Sequence, residues 1–322
     1  MVLRLTLVTA LIAVLTVVVM NREPEELPPA TVHGMPGAEA TPQVTGIDSV
    51  LLLQHLSALA HDSMQGREVA TEGAERARRY LLAALSDAGV EPMGSSYEVD
   101  FRLPDGRTGV NLVGRVAGSD GIAPPVIVLT AHYDHEGIID GDVYNGADDN
   151  ASGVATVLEI ARALGEQPTR HPVVVALFDA EETGLLGARA FVASPPLPLS
   201  DMALNVNLDM VSRANGLLWA AGAFHTPALR QPLEAAASTA PLELRLGHDS
   251  PGAPEGADWT SQSDQGAFHA RGIPFVYFGV DDHPDYHRPT DDVERIDPGD
   301  FVNSARTILS ALRALDATLP LP

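Results

Sequence analysis

The chain has 322 residues, 45% of them hydrophobic, enough to bury one large core; α/β domains commonly run to roughly 250 residues. A net charge of −23, with arginine as the only permanent cation, argues against a nucleic-acid partner, because phosphate binding needs clustered cations. The absence of cysteine excludes disulfides, thiolate metal sites, a cysteine nucleophile and a lipoprotein attachment point.

Leu5 to Met20 carries no charge, and Val2 and Leu3 extend the run across Arg4. At about 1.5 Å per residue such a helix nearly crosses a hydrocarbon core of about 30 Å. No small-x-small cleavage pattern follows, since the chain continues Val18-Val19-Met20-Asn21-Arg22. Residues 1–20 are therefore expected to be a membrane anchor or signal segment, with the uncleaved anchor favoured over a removed signal. Arg4 ahead of the run, and Glu23, Glu25 and Glu26 behind it, place the rest of the chain outside the cytoplasm, periplasmic or secreted. Residues 21–46, rich in Pro, Glu, Gly and Thr, read as a flexible tether. The folded domain is expected over 47–318.

Within it the apolar spacing predicts helices at Ser49–Ala60, Thr71–Ala88, Ser152–Leu164, Gly184–Val192, Ala228–Thr239, Asp264–Arg271 and Asp300–Leu315. Strands are expected at Tyr97–Phe101, Asn111–Val116, Val126–Thr130, Val173–Phe178, Leu204–Asp209, Leu217–Ala220 and Pro274–Phe278. Val126–Leu129 and Val173–Phe178 are continuously apolar rather than alternating, as in strands covered on both faces. Alternation of strand and helix then implies an α/β fold, a mostly parallel mixed sheet sandwiched between helices.

Five acid- or histidine-bearing segments punctuate this pattern: His132-Tyr133-Asp134-His135, Gly146–Asn150, Asp179–Glu182, Asn207-Leu208-Asp209 and Tyr286–Pro289. Singly, each has an ordinary explanation as a turn, a helix cap or a charged loop. Four of them fall at or beyond strand ends, where open α/β sheets gather ligands. The fifth precedes a helix N-terminus, whose dipole suits carboxylates. Several carboxylates drawn together would repel one another, and a pair of divalent cations removes that repulsion.

From about Ile47 to Leu315 the chain resembles the M28 family of zinc-dependent metallopeptidases, mainly aminopeptidases. The strings that carry the resemblance are TAHYDH, NGADDNASG, LFDAEETGLLGARAF, NLDM, SDQGAF and DYHRPTDD, in the family's order. The resemblance implies a zinc-exopeptidase (phosphorylase/hydrolase-like) architecture and two zinc ions per chain. It implies that Asp149 bridges the ions, because the family's ligand stands three residues before the Ser-Gly pair, which makes Asp148 the lesser candidate. His132 and Asp209 would complete one site, and Glu182 and His287 the other. A cis peptide is expected after Asp149. Asp134 would orient His132 through its other ring nitrogen. Glu181 would be the general base for a metal-bridging water that attacks the peptide bond. Tyr286 and Asp264 are candidate substrate contacts, although Gln265 stands where relatives commonly have histidine after that aspartate. The loop Gly247–Ser263, bearing Trp259, is either a pocket wall or a surface excursion. Arg288 beside His287 either meets a substrate carboxylate or is merely solvated.

The implied activity is removal of N-terminal residues from peptides. Two other classes compete. One is a glutaminyl-cyclase-like acyltransferase with a single zinc, which shares the HYD string and the double glutamate. The other is a non-catalytic binding ectodomain on the same fold. Metal content separates the first from a peptidase, and a panel of aminoacyl substrates tests the second.

Overall fold

The computed structural model describes residues 46–252 and 256–321. The anchor and nearly all of the tether expected from the sequence lie outside the described residues. Among the described residues no helix is long and apolar enough to cross a membrane.

The described residues form seven helices and eleven strands: α1 Ser49–Leu59, α2 Glu72–Asp87, β1 Glu91–Pro92, β2 Glu98–Arg102, β3 Thr108–Val116, β4 Val126–His132, β5 Gly137–Ile139, β6 Asp142–Tyr144, α3 Gly153–Glu166, β7 Val173–Phe178, α4 Leu186–Ala193, β8 Met202–Leu208, β9 Leu217–Ala221, α5 Arg230–Ala237, β10 Glu243–Leu246, α6 Gln265–His269, β11 Phe275–Gly279 and α7 Pro298–Asp316. Helix starts follow capping chemistry. Asp48 accepts from the backbone of Val50 and Leu51 ahead of α1, Thr71 from Ala74 in α2, and Asp297 from Asp300 in α7. Each such cap contributes about 1 kcal/mol.

Nine strands join in one mixed sheet of order β1-β3-β7-β4-β8-β11-β9-β10, with β2 also paired to β3. The central strands β7, β4, β8 and β11 run parallel to one another, while β3 and β9 are antiparallel to their inner neighbours. All residues of β4, β7 and β11 are buried. Successive residues of a strand point to opposite faces, so a continuously apolar strand feeds two cores. Ile127, Leu129 and Ala131, with Val173, Val175 and Leu177, face a large core shared with α1, α2, α3, α5 and α7. Val126, Val128, Val174, Ala176 and Phe178 face a smaller core closed by α4 and α6. The result is the expected helix–sheet–helix sandwich. Three features were not expected: the two-residue strand β1, the strand β10, and the hairpin of β5 and β6 that follows the histidine segment of β4.

Because the four central strands are parallel, their carboxyl ends share one edge. β4 ends on His132, β7 is followed by Asp179, and β8 by Asp209. His287 lies in the segment that leaves β11.

Candidate metal centre

Asp149 is the hub of the edge. One of its carboxylate oxygens stands 3.3 Å from His132 Nε2, and the other 3.1 Å from His287 Nε2. Asp209 Oδ1 lies 3.3 Å from His132 Nε2, and Glu182 Oε2 lies 3.3 Å from His287 Nε2. The Asp149–Asn150 peptide is cis. Asn150 holds the turn from both sides: its amide nitrogen donates to the Leu208 carbonyl, and its oxygen accepts from Gly153 N at the start of α3.

Both imidazoles present Nε2 to this cluster because Nδ1 is directed elsewhere. His132 Nδ1 lies 3.2 Å from the Asp134 carbonyl oxygen and 3.6 Å from its carboxylate. His287 Nδ1 lies 3.3 Å from Glu136. An Nδ1 proton held in this way leaves the Nε2 lone pair free for a cation. Asp134 also accepts from the backbone nitrogens of Glu181, at 3.1 Å, and Glu182, at 3.4 Å. It therefore ties the loop after β7 to the end of β4.

Asp148, next to the hub, faces the other way. It is fully buried and accepts from Ser212 N at 2.8 Å and Ser212 Oγ at 2.6 Å, with His283 Nε2 at 3.1 Å. The backbone nitrogens of Asp148 and Asp149 both donate to Asp291. Four acidic or basic groups thus surround the hub without having been expected there: His135, Glu136, His283 and Asp291. His135 is buried, with Nδ1 2.6 Å from Glu182 Oε1, the oxygen that does not face His287. HYDH and DYHRPTDD contain two of these residues, His135 and Asp291, and the other two lie just outside them, but only the fold reveals their partners.

The electrostatics are those of crowded acids. Burial, joined by Asp209, Asp264 and Glu182, raises Glu181 well above the usual carboxylate range against the pull of His132. Burial and Asp149 likewise raise Asp209. Asp149 is driven well below its ordinary value, because His132, His287 and His135 outweigh its burial. For His287, burial is outweighed by Asp149 and Glu182, which push the ring up to about 11.

His132, Asp149, Glu181, Glu182, Asp209, Tyr286 and His287 all line one cleft, with about 450 Å³ of open space. Its other walls are Met210, Trp259, Gln262, Ser263, Tyr277, Val280 and Asp282, so the loop over 247–263 does furnish part of the wall. Gln265 secures that loop, accepting from Asn207 at 2.9 Å and donating to the Trp259 carbonyl at 2.6 Å. Tyr286 stacks on His287 with ring centroids 3.9 Å apart. Asp264 departs from its expected place. It is fully buried behind the cleft, both carboxylate oxygens without a hydrogen-bond partner among the described residues, and burial pushes it up to about 8. Direct contact with substrate is closed to it. Arg288 is exposed and outside the cleft lining.

The donor set suits zinc. It offers imidazole nitrogens and carboxylate oxygens without thiolate, and donor atoms of His132, Glu181 and Asp209, and of His132, Asp149 and Glu182, lie within 4.8 Å of one another. A third such group joins Glu136, Glu182 and His287.

A sandwich whose parallel strands carry histidines and carboxylates to one edge defines a metallohydrolase-like α/β protein. The chain belongs to peptidase family M28, whose profile matches residues 111–312. Aminopeptidase YwaD of Bacillus subtilis is 31% identical over 216 residues, 62% of this chain but 44% of that protein. The chain thus spans less than half the length of this curated relative. Among solved structures, BSAP, a zinc aminopeptidase from Bacillus subtilis, superposes with a TM-score of 0.53 at 26% identity, covering 64% of this chain and 50% of that one. Porphyromonas gingivalis glutaminyl cyclase shares the fold, with a TM-score of 0.67 at 19% identity over 85% of this chain and 99% of the cyclase.

Proposed function

We propose that this chain is a zinc aminopeptidase that removes N-terminal residues from peptides. The observation that carries the proposal is the placement of Asp149, one oxygen toward each imidazole, with Asp209 and Glu182 as the next donors on either side. In this reading His132, Asp209 and Asp149 hold one ion, and His287, Glu182 and Asp149 the other. Bound zinc would supply Lewis acidity to the scissile carbonyl and to the attacking water.

Glu181 takes the proton of that water and returns it to the departing amine. Its burial and acidic neighbours raise its proton affinity, which suits a base that must hold the proton between the two transfers. Asp134 fixes the Glu181 backbone and the His132 ring together, so base and ligand keep their relative placement. Burial, with Asp149 and Asp209, keeps the Tyr286 phenol protonated, and from the cleft wall its O–H can donate to a substrate carbonyl. Met210, Trp259, Tyr277 and Val280 stand among the mostly polar walls of the cleft, where a substrate side chain would meet them. The acid cluster beside it favours a free α-amine.

The test is metal content together with hydrolysis of aminoacyl anilides and dipeptides, with and without chelator. Two zinc ions per chain, activity lost to chelator and restored by zinc, and refusal of N-acetylated substrates are expected. One zinc per chain with cyclisation of N-terminal glutamine would make it a cyclase instead. Full zinc loading without hydrolysis of any substrate would make it a binding module.

We further propose that residues 1–20 anchor the chain, which places the 47–318 domain outside the cytoplasm. The support is the uncharged run Leu5–Met20 with Arg4 ahead of it. Recovery of the intact full-length chain in the soluble fraction would refute the anchor.

A further inference from the structure

The largest fully buried side chain outside the donor set is a cation. Arg67 is 0% exposed, and the turn that bears it is built to push it inward. Gln65, Gly66 and Arg67 take successive positive φ values of 52°, 64° and 54°, a left-handed run that L residues seldom adopt. Gly66 is required there, since a Cβ would collide with the carbonyl oxygens of Gly137 and Tyr144.

Inside, the guanidinium donates only to backbone carbonyls: Nε to Tyr133 at 2.7 Å, Nη1 to Leu59 and Asn145 at 2.6 Å each, and Nη2 to Gly146 at 3.0 Å. Tyr133 lies between His132 and Asp134. Asn145 and Gly146 open the turn that leads to Asp149. A single planar fork thus joins the two segments that hold the expected first ligand and the expected bridge. Lysine, with one nitrogen, cannot span these carbonyls.

No carboxylate lies within 4.0 Å of the guanidinium among the described residues, and a buried cation without a contacting partner is costly. The compensating charge is diffuse. Burial lowers Arg67 to about 10, while Asp149, Asp134, Asp291 and Glu182 act from beyond contact to favour its cationic form. The acid cluster therefore stands over a fixed positive charge.

We propose that Arg67 is a positioning residue for the metal centre, setting the placement of His132 relative to Asp149 before any cation binds. This rests on the zinc reading above. The test measures zinc affinity of the full chain, by competition with a chromogenic chelator at 25 °C, for wild type, Arg67→Met and Arg67→Lys. Melting of each metal-free protein is followed in parallel. Replacing a group that orients ligands typically weakens metal binding about 10- to 100-fold. That loss is expected for folded Arg67→Met, with a smaller one for Arg67→Lys, which keeps the charge but not the fork. A purely structural role would lower the melting temperature and leave zinc affinity of the folded protein unchanged. Wild-type affinity in folded Arg67→Met overturns the proposal, as does failure of both variants to fold, which would make Arg67 a residue of the fold alone. Wild type that binds no zinc would overturn the zinc reading first, and this proposal with it.

Discussion

Asp148 and Asp149 are adjacent acids of the same turn with opposite surroundings, and their substitutions should part accordingly. Asp149→Asn removes a charge that both imidazoles face, and zinc content should fall below two per chain by elemental analysis. Asp148→Ala leaves the Ser212 donors and His283 without their acceptor. Stability to urea should drop by about 1–3 kcal/mol while zinc content is kept. Glu181→Gln should retain both ions and lose roughly 10²- to 10⁴-fold in kcat; wild-type turnover would remove Glu181 as the base. That these His- and carboxylate-bearing segments gather at one edge was legible in the sequence, because parallel strands bring their carboxyl ends together. The supporting contacts were not. His135 beside Asp134, and Glu136 beside His135, look like any charged turn until the fold brings Glu182 and His287 to them. Asp264, read as a substrate contact from its neighbours in sequence, proved fully buried and outside the cleft lining.

At the scale of elements, the continuous apolar runs of β4 and β7 announced strands covered on both faces, and those strands place the site. Phe178, the last residue of β7, shows the coupling. It packs against Phe191 of α4 at 5.4 Å and Phe268 of α6 at 6.2 Å between ring centroids, directly before the Asp179–Glu182 loop. Phe178→Ala should cost about 3–5 kcal/mol in urea unfolding and should weaken zinc binding through that loop. The hairpin of β5 and β6 carried a readable signal, Asp140-Gly141 with φ of 56° and 94°, suited to a two-residue hairpin turn. Its strands are only three residues each, too short for alternation to register. A second test sits where α1 meets α2. His55 Nδ1 lies 2.7 Å from Tyr80 Oη, and burial, helped by Arg162, lowers the ring from 6.5 to about 4. The folded state prefers neutral His55, so its contribution is complete above pH 6.5 and is lost as pH falls toward 4. In that window the unfolded chain binds the extra proton, and stability rises with pH. The shift is worth about 3 kcal/mol. Melting curves from pH 4 to 7 should show a shallower acid decline in His55→Gln than in wild type.

For the whole molecule, composition located the acid excess only as a number, and the fold shows that part of it is concentrated. Glu181 and Asp209 are raised chiefly by burial, Asp264 is pushed up to about 8, and Asp179 to about 7. These are values of the metal-free protein, and their signs predict what removing metal does. An acid whose folded pKa lies above its unfolded value holds a proton that the unfolded chain has already released. Its stabilisation is present at low pH and is lost as pH rises through the folded value. His287, raised to about 11, has the same sign, because its proton too is held more tightly in the folded state. Metal-free protein should therefore lose stability between pH 6.5 and 8.5. Zinc favours ionised carboxylates and neutral imidazoles, so the loaded protein should escape most of that loss. At zinc 100-fold above its Kd the ion adds about 2.7 kcal/mol per site. Melting with and without chelator at both pH values should give a gap that widens toward pH 8.5. A gap that stays constant, or narrows, would mean that the buried acids are not gathered around cations at all.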